Sequence, residues 1–414
     1  MKSIFLSAYS CNPDEGSESA VGWSWLFYYL INTDYKIYLV TRTNNLDAIK
    51  SQKIVEKYLD SRLILIPLDL PQIFLKIKNL NKFLNAIYYY LWQIHAGLIC
   101  KKICSSTKVH YSHHITYVTL HFPAFLWFSK SDIILGPLAG GDKVPVHLRK
   151  SFSLTFRIRE KIRDILGALN KYNPLMNLMY SNAKLIFVNS AESKKLIPKK
   201  FWHKVKIELS ISIDDEKFQN LSAFEPKERF KKDNAFKIVY AGRLDELKGI
   251  EPLIKSFKIQ KNRNATLDII GDGYQKEKIL KLILDENLTS RIKVFGWMSQ
   301  EKLMRKMHEY DLFIFPSLRD SGGMVVLEAL SSGVPVIAAN IGGPATILEK
   351  KPELLLNDFS SLDKFIHNIA LKVDEMAIDN KKIENLRKDT VERFISSRHL
   401  NKLHKHILDE IKKT

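Results

Sequence analysis

Residues 311–340, DLFIFPSLRDSGGMVVLEALSSGVPVIAAN, constrain the fold of this chain more than any other stretch. An apolar run at 311–317 ends at Pro316 and Ser317, a loop with two adjacent glycines follows, and 324–330 is apolar except for Glu328. Gly333 stops that helix, and the β-rich run 334–339 suits a strand buried on both faces. Strand, glycine turn, helix and strand in this order predict a parallel sheet, whose carboxyl edge is where doubly wound folds bind ligands. The first-turn amides of Gly323, Met324 and Val325 are expected to face an anion there. Glu328 lies one turn on. Helical side chains lean toward the N-terminus, so its carboxylate is expected to point back at the same ligand. Amid so much apolar surface it also needs a partner.

At 414 residues the chain exceeds one ordinary core, which predicts two domains, at 1–215 and 216–390, with a charged helical tail at 391–414. The stretch 217–234, rich in Lys, Glu and Asp, reads as the linker. Lys and Arg number 64 against 45 Asp and Glu, a net charge of +19, so the surface seeks anions. The basic residues are spread along the chain and form no recognition module, so nucleic acid is not the expected partner. Cys11, Cys100 and Cys104 have neither disulfide-framework nor metal spacing, which fits a reducing cytosol. Residues 1–8 run straight into a strand, so no secretory signal is expected. No apolar run reaches the roughly 18 residues of a membrane span.

The first half repeats the strand, turn, helix pattern. A strand at 3–9 leads through Gly16 and Ser17 to an apolar helix at 21–31, with Ser17 expected to cap it. The spacing is not that of a dinucleotide fingerprint. Further strands are expected at 36–41, 63–67, 109–111, 132–136 and 185–189, with His113 and His114 where the fourth strand ends. Gly140 and Gly141 in GPLAGGD (136–142) permit close approach of a ligand. Residues 146–163, VHLRKSFSLTFRIREKIR, interleave basic and apolar side chains, with only Glu160 opposing them. That pattern suits an anionic membrane surface, where each basic residue contributes about 1 kcal/mol.

In the second half a strand at 236–240 runs into AGRLDELKGI, which puts Arg243 and Lys248 at a strand–helix junction. Two cations at a strand's carboxyl end suit a diphosphate, because charge-assisted hydrogen bonds are worth about 1.5–3 kcal/mol each. Strands at 267–270 and 292–295 end in glycine turns, the second followed by Trp297 and Met298. Gly342 and Gly343 are expected to form a further turn. No acidic cluster has metal-ligand spacing, so no metal and no cofactor are expected.

These residues together resemble glycosyltransferase family 4, the group 1 glycosyltransferases of GT-B fold, in which two Rossmann-like doubly wound domains face a cleft. Asp320 and Glu328, with seven residues between them, resemble the family's Glu-x(7)-Glu motif, with Asp in the first place. Arg243 and Lys248 resemble its Gly-Arg-Leu…Lys-Gly motif. CNPDEGSESAVGWSW (11–25) and GPLAGGD are similar to motifs of a subset of these enzymes.

The resemblance implies a retaining transferase that moves a sugar from a nucleotide-diphospho-sugar to a glycan or lipid-linked acceptor. It implies Glu328 on the ribose, Asp320 on the transferred sugar, and Arg243, Lys248 and the amides of Gly323, Met324 and Val325 on the diphosphate. It also implies Trp297 or Met298 at the nucleobase, and Gly16 with His113 or His114 near the sugar, His114 being favoured. A final helix at 391–411 crosses back to the first domain in such enzymes. The expected setting is cell-surface polysaccharide assembly, in the cytoplasm or at the inner face of the membrane. Alternatives are a nucleotide-sugar epimerase or phosphorylase on the same fold, a basic nucleic-acid-binding protein, or a non-catalytic partner subunit.

Overall fold

A computed structural model describes residues 2–78, 80–117, 119–216, 219, 235–378 and 392–413. The expected linker at 217–234 lies outside these residues except for Gln219, and so do residues 391 and 414 of the expected tail.

The chain divides into two units. The first comprises Met1–Gly141, Arg163–Ser212 and Ser396–Thr414; the second comprises Asp142–Ile162 and Ile213–Ile395. A single cut near 215 therefore does not describe it. Residues 142–162 belong with the second unit because Asp142 accepts a hydrogen bond from Ser321 and Glu160 pairs with Arg319. The C-terminal helix Ser396–Lys412 belongs with the first, where the hydroxyl of Tyr28 donates to Asn401 at 3.1 Å.

In the first unit β1 (Ser3–Ala8), β2 (Lys36–Thr41), β3 (Leu63–Pro67), β4 (Val109–Thr116), β5 (Asp132–Leu138), β6 (Ala183–Val188) and β7 (Val205–Ile207) form one sheet, ordered β3-β2-β1-β4-β5-β6-β7. Every pairing is parallel. Parallel strands covered on both faces are apolar throughout rather than alternating, and β1 is buried at every position. The long helix Lys82–Ser106 begins at Asn81, whose side chain caps the amide of Leu84, and seats Trp92 with its indole nitrogen donating to the Leu68 carbonyl at 2.7 Å. The strand order reverses between β1 and β4. The expected carboxyl-edge site of this unit therefore falls in the loops after those two strands.

The second unit holds β8 (Lys237–Ala241), β9 (Thr266–Ile270), β10 (Ile292–Gly296), β11 (Leu312–Phe315), β12 (Val336–Ala339) and β13 (Leu355–Leu356), ordered β10-β9-β8-β11-β12-β13. These pairings are also parallel, and the order reverses between β8 and β11. The loops after β8 and β11 carry Arg243, Lys248, Asp320 and Gly323.

Three local expectations change. Gly16, not Ser17, is the N-cap, in extended conformation, and Ser17 opens the helix Ser17–Asn32. Gly342 and Gly343 begin a short helix, Gly342–Ile347, rather than a free turn. The basic stretch at 146–163 is two elements, a 3-10 turn Val146–Ser151 and a helix Leu154–Asn170.

Three histidines of the first unit are buried in a neutral state. Burial pushes His113 down to about 3, and His114 and His404 down to about 4. The unfolded chain binds protons at each below the ordinary value near 6.5, whereas the folded chain does not until about pH 4. Stability from these groups is therefore complete above about pH 6.5 and is lost as pH falls toward 4, by about 1.4 kcal/mol per pH unit for each histidine. Urea denaturation between about pH 7 and pH 4.5 is expected to show this fall, and His404→Gln to reduce its slope by about one proton. A variant slope equal to that of the parent would contradict the assignment.

Candidate active site

The second unit's site is built on the loop between β11 and the helix Met324–Ser331. Asp320 is its centre. One carboxylate oxygen accepts the amide of Gly323 at 2.7 Å and that of Gly322 at 3.2 Å. The other accepts the ammonium of Lys248 at 2.7 Å. Lys248 itself is nearly buried, its Nζ 5.3 Å above the ring of Phe315. The side chain thus caps the helix start and neutralises a buried cation in one arrangement. This corrects one expectation: the Gly323 amide is already bonded, and it is Met324 and Val325 whose first-turn amides have no acceptor among the described residues.

Glu328 is buried, one turn into the helix, as its place among apolar residues requires. Its carboxylate accepts a hydrogen bond from the side chain of Gln300. Gln300 opens the helix Gln300–Met307, held in place by Ser299 as N-cap. Nothing local in the sequence marked Gln300 as a partner, since it lies 28 residues from Glu328. Just before this helix, Trp297 is 75% exposed and Met298 is half-buried. Arg243 extends into solvent with 77% of its side chain exposed, 3.5 Å from Asp245. The two expected diphosphate cations therefore differ: Lys248 is nearly buried against Asp320, and Arg243 is exposed beside Asp245.

The loop is held from three sides. The amide of Gly343 donates to the Asp320 carbonyl at 2.9 Å. The hydroxyl of Ser321 donates to Asp142, and Arg319 pairs with the buried Glu160. Asp142 closes the GPLAGGD motif, whereas Glu160 and Arg319 were not recognisable as site residues from local pattern. A charged pair, Arg319 and Asp320, closing an otherwise apolar strand was the one available signal.

In the first unit, His113 and His114 lie within β4, not after it. The Nε2 of His113 is 2.8 Å from the Gly136 carbonyl and so carries the proton, while its Nδ1 accepts from Tyr29 at 3.4 Å. Trp25 packs edge-on against the ring at 4.8 Å. His113 is a core histidine with both nitrogens engaged. His114 is also buried, but its Nδ1 has no hydrogen-bond partner among the described residues. Gly16 sits at the helix start with open space where a Cβ would stand.

Two doubly wound parallel sheets, with charged side chains gathered at a switch point, define the class. The chain has the GT-B fold of solved glycosyltransferases. It is similar to the lipopolysaccharide outer core galactosyltransferase WaaB in its apo form, with a TM-score of 0.62 and 15% identity over 99% of this chain and 100% of that one. It is also similar to Anabaena Alr3699/HepE in complex with UDP and glucose, with a TM-score of 0.55 and 16% identity over 99% and 100%.

Residues 222–393 match the family model described as "Glycosyl transferases group 1". The uncharacterized glycosyltransferase MJ1059 of Methanocaldococcus jannaschii is 36% identical over 188 residues, which are 43% of this chain and 45% of that protein. The chain thus spans less than half the length of the curated relatives it matches.

Two glycines separate structural from ligand-facing constraint. Gly342 has φ +64°, and a Cβ there would stand 2.2 Å from the Asp320 carbonyl oxygen. Gly342→Ala is expected to displace the acid loop and to destabilise the second unit by about 2 kcal/mol or more. Gly16→Ala is expected to change stability by less than about 0.5 kcal/mol. Urea denaturation of both variants checks the contrast, and equal midpoints would refute it.

Proposed function

We propose that the protein transfers a sugar, with retention of configuration, from a nucleotide-diphospho-sugar to a glycan or lipid-linked acceptor. The observation that carries this reading is the Asp320–Lys248–Gly323 arrangement beside Glu328. It offers a fixed cation, a helix start and a buried carboxylate at one sheet edge. A donor has the matching groups in sequence: a sugar, two phosphates and a ribose.

In this reading Glu328, oriented by Gln300, accepts hydrogen bonds from the ribose hydroxyls. Lys248, Arg243 and the amides of Met324 and Val325 hold the diphosphate and stabilise the charge that grows on it as it leaves. These cations take the place of a metal ion. Asp320 keeps Lys248 in position while its loop lies against the transferred sugar. Trp297 and Met298 line the nucleobase. From the first unit, Gly16 and His114 are assigned to the sugar by the family resemblance. His114 is neutral at physiological pH, since burial holds its pKa at about 4, so it acts as a hydrogen-bonding group rather than as a cation.

Support for a nucleotide-sugar donor comes from the similarity to a structure holding UDP and glucose. Support for cell-surface polysaccharide assembly comes from the similarity to a lipopolysaccharide galactosyltransferase. No helix among the described residues is long and apolar enough to cross a membrane, so contact with a lipid-borne acceptor is read as peripheral. The cytoplasmic face is the side on which nucleotide-sugars are available, and it is the proposed location.

A thermal-shift screen against UDP-, GDP- and ADP-sugars tests the donor. One class is expected to stabilise the protein, by about 2.7 kcal/mol at a hundredfold excess over Kd. Arg243→Ala is expected to lower turnover at least about tenfold, and Glu328→Ala to abolish the nucleotide-dependent shift. Normal nucleotide binding by Glu328→Ala would remove that residue from the ribose.

A further inference from the structure

The first unit holds a cavity of about 800 Å³ that no step of the proposed transfer uses. It lies at the amino ends of β1 and β2, between Lys2, the turn 32–35 and the C-terminal helix Ser396–Lys412. Doubly wound sheets bind their ligands at the carboxyl edge. β1 has six residues, so about 20 Å separate that edge from this one. The volume is in the range of small-molecule sites.

The floor of the cavity is held by a hydrogen-bond relay. The hydroxyl of Tyr28 donates to Asn401 Oδ1 at 3.1 Å. A hydroxyl has one proton, so the same oxygen accepts from His404 Nδ1 at 3.2 Å. The neutral imidazole then has an acceptor at Nε2, 3.5 Å from the Tyr35 hydroxyl. Tyr28 and His404 are buried, and together they fix Asn401 and Tyr35 at the wall.

The hydrogen-bonding capacity left over lines the cavity. Asn401 keeps its amide N–H groups, Lys2 its ammonium and Asp34 its carboxylate. Asn32 donates to the Tyr28 carbonyl at 3.0 Å and keeps its side-chain oxygen. None of these groups has a hydrogen-bond or ion-pair partner among the described residues. Arg398, also on the wall, already has a partner. One ammonium and one carboxylate carry no net charge, which disfavours a phosphate or another anion. Donors and acceptors in equal number beside the part-exposed ring of Tyr35 suit a ligand whose hydroxyls both donate and accept and whose ring carries apolar C–H faces. A pyranose is such a ligand.

We propose that this cavity binds a sugar residue of a glycan and tethers that chain at a distance from the transfer site. A tethered polymer presents its end at a raised effective concentration. The tethering role rests on the proposed glycosyl transfer; sugar binding does not, and is measured without a nucleotide.

The probes are the methyl α-glycosides of glucose, galactose, mannose, rhamnose and N-acetylglucosamine. At saturation, at least one is expected to slow hydrogen exchange in peptides spanning 28–35 and 397–408. Asp34→Ala with Asn401→Ala is expected to weaken that glycoside at least about tenfold. The urea midpoint is expected to stay unchanged, because both side chains are exposed. No protection of these peptides by any of the glycosides, or equal affinity in the double variant, overturns the site. Glucose 6-phosphate bound at least about tenfold more tightly than methyl glucoside, with the preference lost in Lys2→Ala, overturns the sugar reading in favour of an anion. In transfer assays the double variant is expected to raise KM at least about fivefold for a polysaccharide acceptor, leaving KM for a single-sugar acceptor and kcat for both unchanged. An unchanged KM for the polysaccharide, or an equal rise for both acceptors, overturns the tethering. A donor screen with no stabilising nucleotide, alongside protection of the two peptides, would overturn the transferase reading alone.

Discussion

The Asp320 carboxylate is the interaction on which the second unit's site depends. Its oxygens accept two backbone amides and one ammonium. Each partner would be costly alone. A buried lysine without a counter-charge loses its hydration, and a helix start without a cap leaves its amides unsatisfied. Together they close a compact arrangement in which a short acid is an advantage. Bonding to its own loop at a separation of two and three residues is the behaviour of Asp and Asn side chains, and the added methylene of Glu changes that reach.

From this knot the structure spreads outward through contacts from other elements. Gly343 supports the loop's backbone, Asp142 holds Ser321, and Glu160 holds Arg319. Each approaches from an element distant in sequence, so the loop has little freedom of its own. That rigidity matches what a site acting by fixed charges needs. Donors and cations already aimed at the ligand stabilise developing charge without reorganising during the reaction.

The sequence reading recovered most strands because buried parallel strands are short apolar runs ended by glycine, a signal contained in neighbouring residues. β2 and β3 have the expected bounds, and β11 and β12 are trimmed versions of 311–317 and 334–339. It erred where two local solutions compete. Gly16 and Ser17 can both precede a helix, and the extended backbone at Gly16 decided between them. Gly342 and Gly343 read as a turn because glycine is a poor helix former. Yet only residues without a Cβ fit against the carbonyls of Asp320 and Gly322, so packing overrode propensity.

By itself, then, the sequence determined two parallel-sheet units and the edges at which their glycine turns and charged residues gather. Alternation, apolar runs and turn residues act over a few positions. The tertiary structure alone decided the pairings. Lys248 meets Asp320 across 72 residues, Gln300 meets Glu328 across 28, and Glu160 meets Arg319 across 159. It also decided that the basic stretch after Val146 buries a carboxylate on one side and exposes its aliphatic side chains on the other. No local pattern specifies such pairs, because a side chain's partner is set by where the sheet order brings distant loops together.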